Sequence, residues 1–175
     1  MADYFTQFSF VLNLPKKTLD LIEELLIKAP DFMYHTEHAS TNKDSEQFLE
    51  ALSIEALAYL NNIREQTTEQ NEVPYTAEAK LRHGTSIRRD APETLSIFTE
   101  ITGDVECVAD IIHHVMWIHE VPNAVHFSYA LTCSRPLPDT FSGGLIYITR
   151  ESWDVLDDGV LLKVARESFE KNSRN

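Results

Sequence analysis

Residues 124–133, AVHFSYALTC, decide the fold. Val125, Phe127, Tyr129, Leu131 and Cys133 fall on one side of an extended chain, and Ala124, His126, Ser128, Ala130 and Thr132 on the other. A period of two over ten residues predicts a strand of an antiparallel sheet, with one face packed and the other open to solvent or a partner. Upstream, residues 102–121, TGDVECVADIIHHVMWIHEV, switch to helical spacing, with Val105, Val108, Ile111, Ile112, Val115 and Ile118 as the buried stripe. Asp104 and Glu106 stand at its start, where negative charge suits the helix dipole. Downstream, GLIYIT reads as a return strand, Thr149 as the cap of a short helix through RESWDVL, and DGVLLKVARESFEKN as a last amphipathic helix.

The start of the chain repeats the logic. YFTQFSFVL alternates and predicts a strand, and NLPKKTLDLIEELLIKAP a helix with Pro15 in its first turn and Pro30 as its stop. Residues 31–43 read as a loop. A second helix is expected over 44–65, opened by Asp44 and Gln47 at capping-box spacing. A surface loop should follow over 65–79. A hairpin should then pair a weak strand near 80–89 with LSIFTEI across DAPET. Setting the second helix aside, the order is βαββαβ, the split βαβ arrangement. The expectation is one α+β domain over residues 1–175. It comprises a mostly antiparallel sheet of about five strands, a ferredoxin-like core plus an extra hairpin strand, with helices mainly on one face and a helical insertion at about 31–79.

Charge narrows the function classes. The formal net charge of the 175 residues is −13. Residues 1–78 hold 14 acids against 5 bases, and residues 91–132 hold 6 acids and neither Lys nor Arg. Such a surface repels nucleic acid and acidic membranes, which argues against direct binding to either. MADYFTQFSF lacks the basic start and apolar run of a signal peptide, no stretch reaches membrane-spanning length, and two cysteines make no disulfide framework. The expected compartment is the cytoplasm.

No catalytic constellation stands out. The histidines at 35, 38, 113, 114, 119 and 126 show no recognised zinc-ligand spacing, and no cofactor motif occurs. Cys133 and His126 point to opposite faces of their strand, so the histidine is not a base for the thiol. These observations favour a binding role over catalysis. Two sets of binding candidates remain. A basic island, KLRHGTSIRR, gathers Lys80, Arg82, His83, Arg88 and Arg89, and its lysine and arginines, with Arg135 and the backbone of Gly143 and Gly144, would suit a small anion such as a nucleotide. The acids Asp104, Glu106, Asp110, Glu46 and Glu50 on predicted helices would suit a protein partner with a basic groove. Acids spaced like phosphates would instead make a mimic of DNA charge.

The hairpin carries a resemblance. Thr132-Cys133-Ser134-Arg135-Pro136, then Phe141-Ser142-Gly143-Gly144, then Ile148-Thr149 resembles the C-terminal hairpin of a family of small acidic phage and mobile-element proteins, in which a short Trp-bearing helix follows, matched here by Trp153. The segment LSIFTEITGDVECVADIIHHV and the aromatic start are similar as well. Ser142 stands where the family has glycine, and residues 31–79 have no counterpart. The resemblance implies no catalytic residues. It implies a setting, in which the partner is a host or defence protein and the role is inhibition or counter-defence.

Overall fold

A computed structural model describes residues 4–69, 83–134, 142–157 and 160. Strand β1 (Tyr4–Asn13) leads into α1 (Lys16–His38), and two further helices follow, α2 (Lys43–Glu50) and α3 (Ile54–Glu69). Then come β2 (Ser86–Ala91), β3 (Thr94–Phe98), α4 (Val105–Ile118), β4 (Val125–Cys133), β5 (Ser142–Ile148) and β6 (Trp153–Asp157). The sheet runs β2-β3-β1-β4-β5-β6 with every neighbouring pair antiparallel. Its first four strands form the expected split βαβ core, with α1 and α4 as the two crossovers.

Alternation in the strands becomes layering. Phe8 and Leu12 of β1, Leu95 and Ile97 of β3, Phe127 of β4, and Ile146 and Ile148 of β5 are buried beneath α1 and α4. Phe10 and Phe127, on neighbouring strands, stack with ring centroids 3.9 Å apart. Facing them are Leu19, Ile22, Leu25, Leu26 and Ala29 of α1, and Val108, Ile111, Ile112 and Val115 of α4. Helices α2 and α3 pack on α1 rather than on the sheet, and among the described residues the opposite sheet face is uncovered. Val11 (52% exposed) and Tyr147 (43%) lie on that face beside Gln7, Ser9, His126 and Ser128.

Four local expectations are corrected. Pro30 does not end α1, which continues to His38. A proline inside a helix has no N–H for the carbonyl four residues earlier. Here that carbonyl, Leu26 O, accepts instead from His83 Nε2–H at 2.6 Å. The helix expected over 44–65 is two helices. Asn42, not Asp44, caps the first by accepting from Asp44 N–H, and Ser53 Oγ accepts from Ala56 N–H to start the second. Glu24 Oε1 takes the Ser53 N–H at 2.7 Å, which fixes the break against α1. The region read as a loop after residue 65 continues α3 to Glu69, and β2 starts at Ser86 rather than near residue 80.

The fourth correction adds a strand. Trp153–Asp157 is β6, not a helix. Thr149 Oγ1 accepts from Glu151 N–H and Ser152 N–H, while Thr149 N–H donates to Ser152 O at 2.8 Å. A capping residue has closed a tight turn instead of opening a helix, because Trp153 and Val155 alternate onto the packed face beside Ile148 and Ile146. The final helix read from 158 onward lies outside the described residues apart from Val160.

Candidate functional site

The described part of the anion-binding set does not converge. Lys80, Arg82 and Arg135 lie outside the described residues. Arg88 and Arg89 point to opposite faces of β2, as neighbours on a strand must. Arg89 turns to the helices and binds Glu23, with Asp20 at 3.0 Å and Pro92 O at 3.1 Å as further acceptors. Arg88 Nε donates to Asp90 Oδ1 at 2.6 Å on the open face. Ser96 and Arg88 together hold the Asp90 carboxyl below its usual range.

Gly143 and Gly144 sit inside the ladder, opposite Ala130 and Tyr129. A Cβ at Gly143 would stand 2.5 Å from Tyr129 O, and one at Gly144 would meet the Tyr129 ring at 2.9 Å and Leu156 O at 3.0 Å. Gly144 leaves room for the Tyr129 ring across β5 and Gly143 for the Tyr129 carbonyl, close approaches that account for the pair.

The acidic set divides. Glu46 and Glu50 lie one turn apart on α2. Asp104 is the N-cap of α4, its Oδ1 accepting from Glu106 N–H and Cys107 N–H at 3.0 Å each. Glu106 and Asp110 are exposed on one side of α4, and with His113 and Trp117 they follow at i, i+4, i+7 and i+11, a single solvent-facing stripe. Trp117 is 59% exposed.

That stripe borders a cleft of ≈ 410 Å³ between α3 and α4. Tyr59, Asn62, Ile63 and Gln66 enter it from α3, and Asp110, His113, His114 and Trp117 from α4, both at i, i+3, i+4 and i+7 spacing. Glu151, from the β5–β6 turn, closes one side. The walls are held in place. Tyr59 and His114 pack ring to ring at 4.3 Å, Gln66 Nε2 donates to Asn62 Oδ1 at 2.7 Å, and His113 Nε2–H donates to Arg150 O at 3.2 Å. Trp153 Nε1–H donates to Asp110 Oδ1 at 2.8 Å, so β6 fixes the carboxylate. Burial pushes the Tyr59 hydroxyl well above its ordinary value and, helped by the charge of His113, pulls the His114 imidazole below its own, which keeps both neutral near pH 7. His114 Nε2 is buried with no hydrogen-bond partner among the described residues.

A second hollow, ≈ 520 Å³, lies where Gly84 crosses Gly103 at the start of α4. Its histidine, His83, is turned inward: Nε2–H meets Leu26 O, and Nδ1 accepts from the Thr85 N–H at 3.1 Å and is paired with the Thr85 hydroxyl. Gly84 takes φ +60, with Thr102 O 2.5 Å from where a Cβ would be, so this hollow is a close backbone crossing whose histidine already has its partners.

Cys107 is buried and its thiol pushed up to about 12 by burial and by Asp104 and Asp110, which makes it a poor nucleophile. Among the described residues no group of three or more His, Cys, Asp or Glu gathers as metal ligands, and no helix is long and apolar enough to cross a membrane.

Charge reading brought Glu106 and Asp110 forward but missed Tyr59, Asn62, Gln66, His114, Trp117 and Glu151. One signal was legible: Trp117 falls outside the apolar stripe of its helix, and an exposed tryptophan beside acids is an interface pattern. Comparison with protein-family models, curated proteins and solved structures found no match to this chain.

Proposed function

We propose that this protein is a binding module, not an enzyme, that engages a partner protein through the outer stripe of α4 and the cleft beside it. The supporting observation is Trp117, which stands exposed at the mouth of a cleft that also holds Asp110 and Glu151. Tryptophan supplies large contact area with little ordering entropy and is enriched among residues that dominate binding energy. Flanking acids steer a basic partner toward it, and the net charge of −13 extends that attraction. Among the described residues three hydroxyls meet a histidine ring, Ser45 with His35, Thr18 with His119 and Thr85 with His83, but Ser45, Thr18 and His83 are buried, as is the Cys107 thiol.

The phage-family resemblance, where it holds, makes the partner a host or defence protein and binding a means of inhibition. Affinity capture with wild-type, Trp117→Ala and Asp110→Asn proteins tests the reading. A stoichiometric partner should be retained by the wild type at low salt, weakened at high salt and lost by Trp117→Ala. A partner held equally by all three proteins, or none at low salt, contradicts it.

A further inference from the structure

We propose that the α3–α4 cleft receives the guanidinium group of an arginine side chain on the partner, stacked on the Trp117 indole and paired with Asp110 and Glu151. This rests on the binding reading above and gives it a chemistry.

Three features of the cleft select a cation. First, Asp110 and Glu151 line it beside His113 and His114, and neither lysine nor arginine does so among the described residues. Arg150, next to Glu151, turns its side chain to Glu120 Oε1 at 3.3 Å. Second, Trp153 holds Asp110 through Oδ1, and the second carboxylate oxygen can still accept from a ligand. Gln66 Nε2 donates one hydrogen to Asn62, and the Gln66 carbonyl oxygen adds an acceptor. The Asp110 and Glu151 carboxylates and the Gln66 carbonyl oxygen give the cleft several acceptors, which suits a ligand rich in N–H donors. Third, the exposed Trp117 ring lines the same cleft, with His114 at 6.4 Å centroid to centroid. A cation over an indole face is drawn to the ring quadrupole, the more strongly the drier the site.

Guanidinium fits better than ammonium. It is planar, so it stacks on indole while its edge reaches a carboxylate, and it is less strongly hydrated. Its five donors match a site whose acceptors come from separate walls. His114 does not compete as an internal cation, since it is held neutral by burial.

The experiment is a titration followed by the two tryptophan indole N–H signals in ¹H–¹⁵N spectra, assigned with Trp117→Phe. The probes are Nα-acetyl-arginine amide, Nα-acetyl-lysine amide and Nα-acetyl-citrulline amide, the last a neutral analogue of the first. The arginine probe should shift the Trp117 signal saturably in the millimolar range, and the lysine probe should bind several-fold more weakly. Citrulline should leave the signal in place. Asp110→Asn retains an acceptor for Trp153, so it should keep the fold and weaken the arginine probe about tenfold. No saturable shift with arginine, equal binding of citrulline, or an unaltered affinity in Asp110→Asn overturns the proposal. Capture of a Trp117-dependent partner alongside a silent arginine titration sinks the guanidinium assignment and leaves the binding reading standing. A positive titration without such a partner does the reverse.

Discussion

His83 donates its Nε2 proton to the Leu26 carbonyl, the acceptor that Pro30 leaves without an N–H in α1. The Thr85 N–H, donating to Nδ1, fixes the tautomer that makes this possible. A buried imidazole thus repairs a helix from 57 residues away in sequence and joins the segment before β2 to α1. His83→Ala should cost about 1–3 kcal/mol in urea unfolding, because it strands a buried carbonyl. Adding Pro30→Ala restores the helical N–H and should recover part of that loss, a non-additive cycle. Additive effects would show that the two residues act independently.

The same burial makes stability depend on pH. Burial depresses the proton affinity of His83 below the ordinary value of 6.5, and does the same for His114 and His119. The unfolded chain therefore takes up protons first as pH falls. Stability is full above about 6.5 and declines as pH drops through that value toward the lower folded values. Urea midpoints should fall between pH 7.5 and 5.5, with a shallower fall in the His83→Ala, Pro30→Ala double variant. A midpoint that rises with acidification contradicts the buried neutral state.

Gly144→Ala should destabilise the β4–β5–β6 hairpins by about 1–3 kcal/mol, since its Cβ meets both the Tyr129 ring and Leu156 O. Tyr129→Ala relieves the side-chain half of that clash, so the second substitution should cost less in the Gly144→Ala background than alone. Thermal unfolding of the four proteins measures this. An unchanged melting temperature in Gly144→Ala would mean the close approach is absent in solution.

Neighbouring arginines should behave differently. The Arg89 side chain is 23% exposed and holds Glu23 and Asp20 across from β2 to α1. Arg88 is 70% exposed and pairs with Asp90 on its own strand. Arg89→Ala should lower stability by about 1–2 kcal/mol, Arg88→Ala by less than about 0.5. Equal losses in chemical denaturation would contradict the placement of Arg89 between two carboxylates.

Much of the fold was legible because strand alternation and helix stripes are local signals. The split βαβ order and the packed face of β4 followed from the spacing of Phe8, Phe10, Phe127 and Tyr129. Pro30 misled, because whether a proline ends a helix depends on whether a distant group can satisfy the freed carbonyl. Thr149 misled, because its hydroxyl serves a helix cap and a tight turn equally, and the choice is made by Trp153 packing on α4. The cleft was largely hidden, since it requires α3 to lie beside α4, and nothing in the spacing of residues 54–69 says which helix they meet. Glu106 and Asp110 were legible as charge, but their neighbour Trp117 gained its meaning from its exposure.

Selection of peptides from a random displayed library tests the functional account most directly, because it works whatever the partner is. Wild-type protein should enrich peptides carrying arginine, and Trp117→Ala should retain none of them. Enrichment of acidic peptides, or of the same peptides by both proteins, would contradict recognition at the α3–α4 cleft.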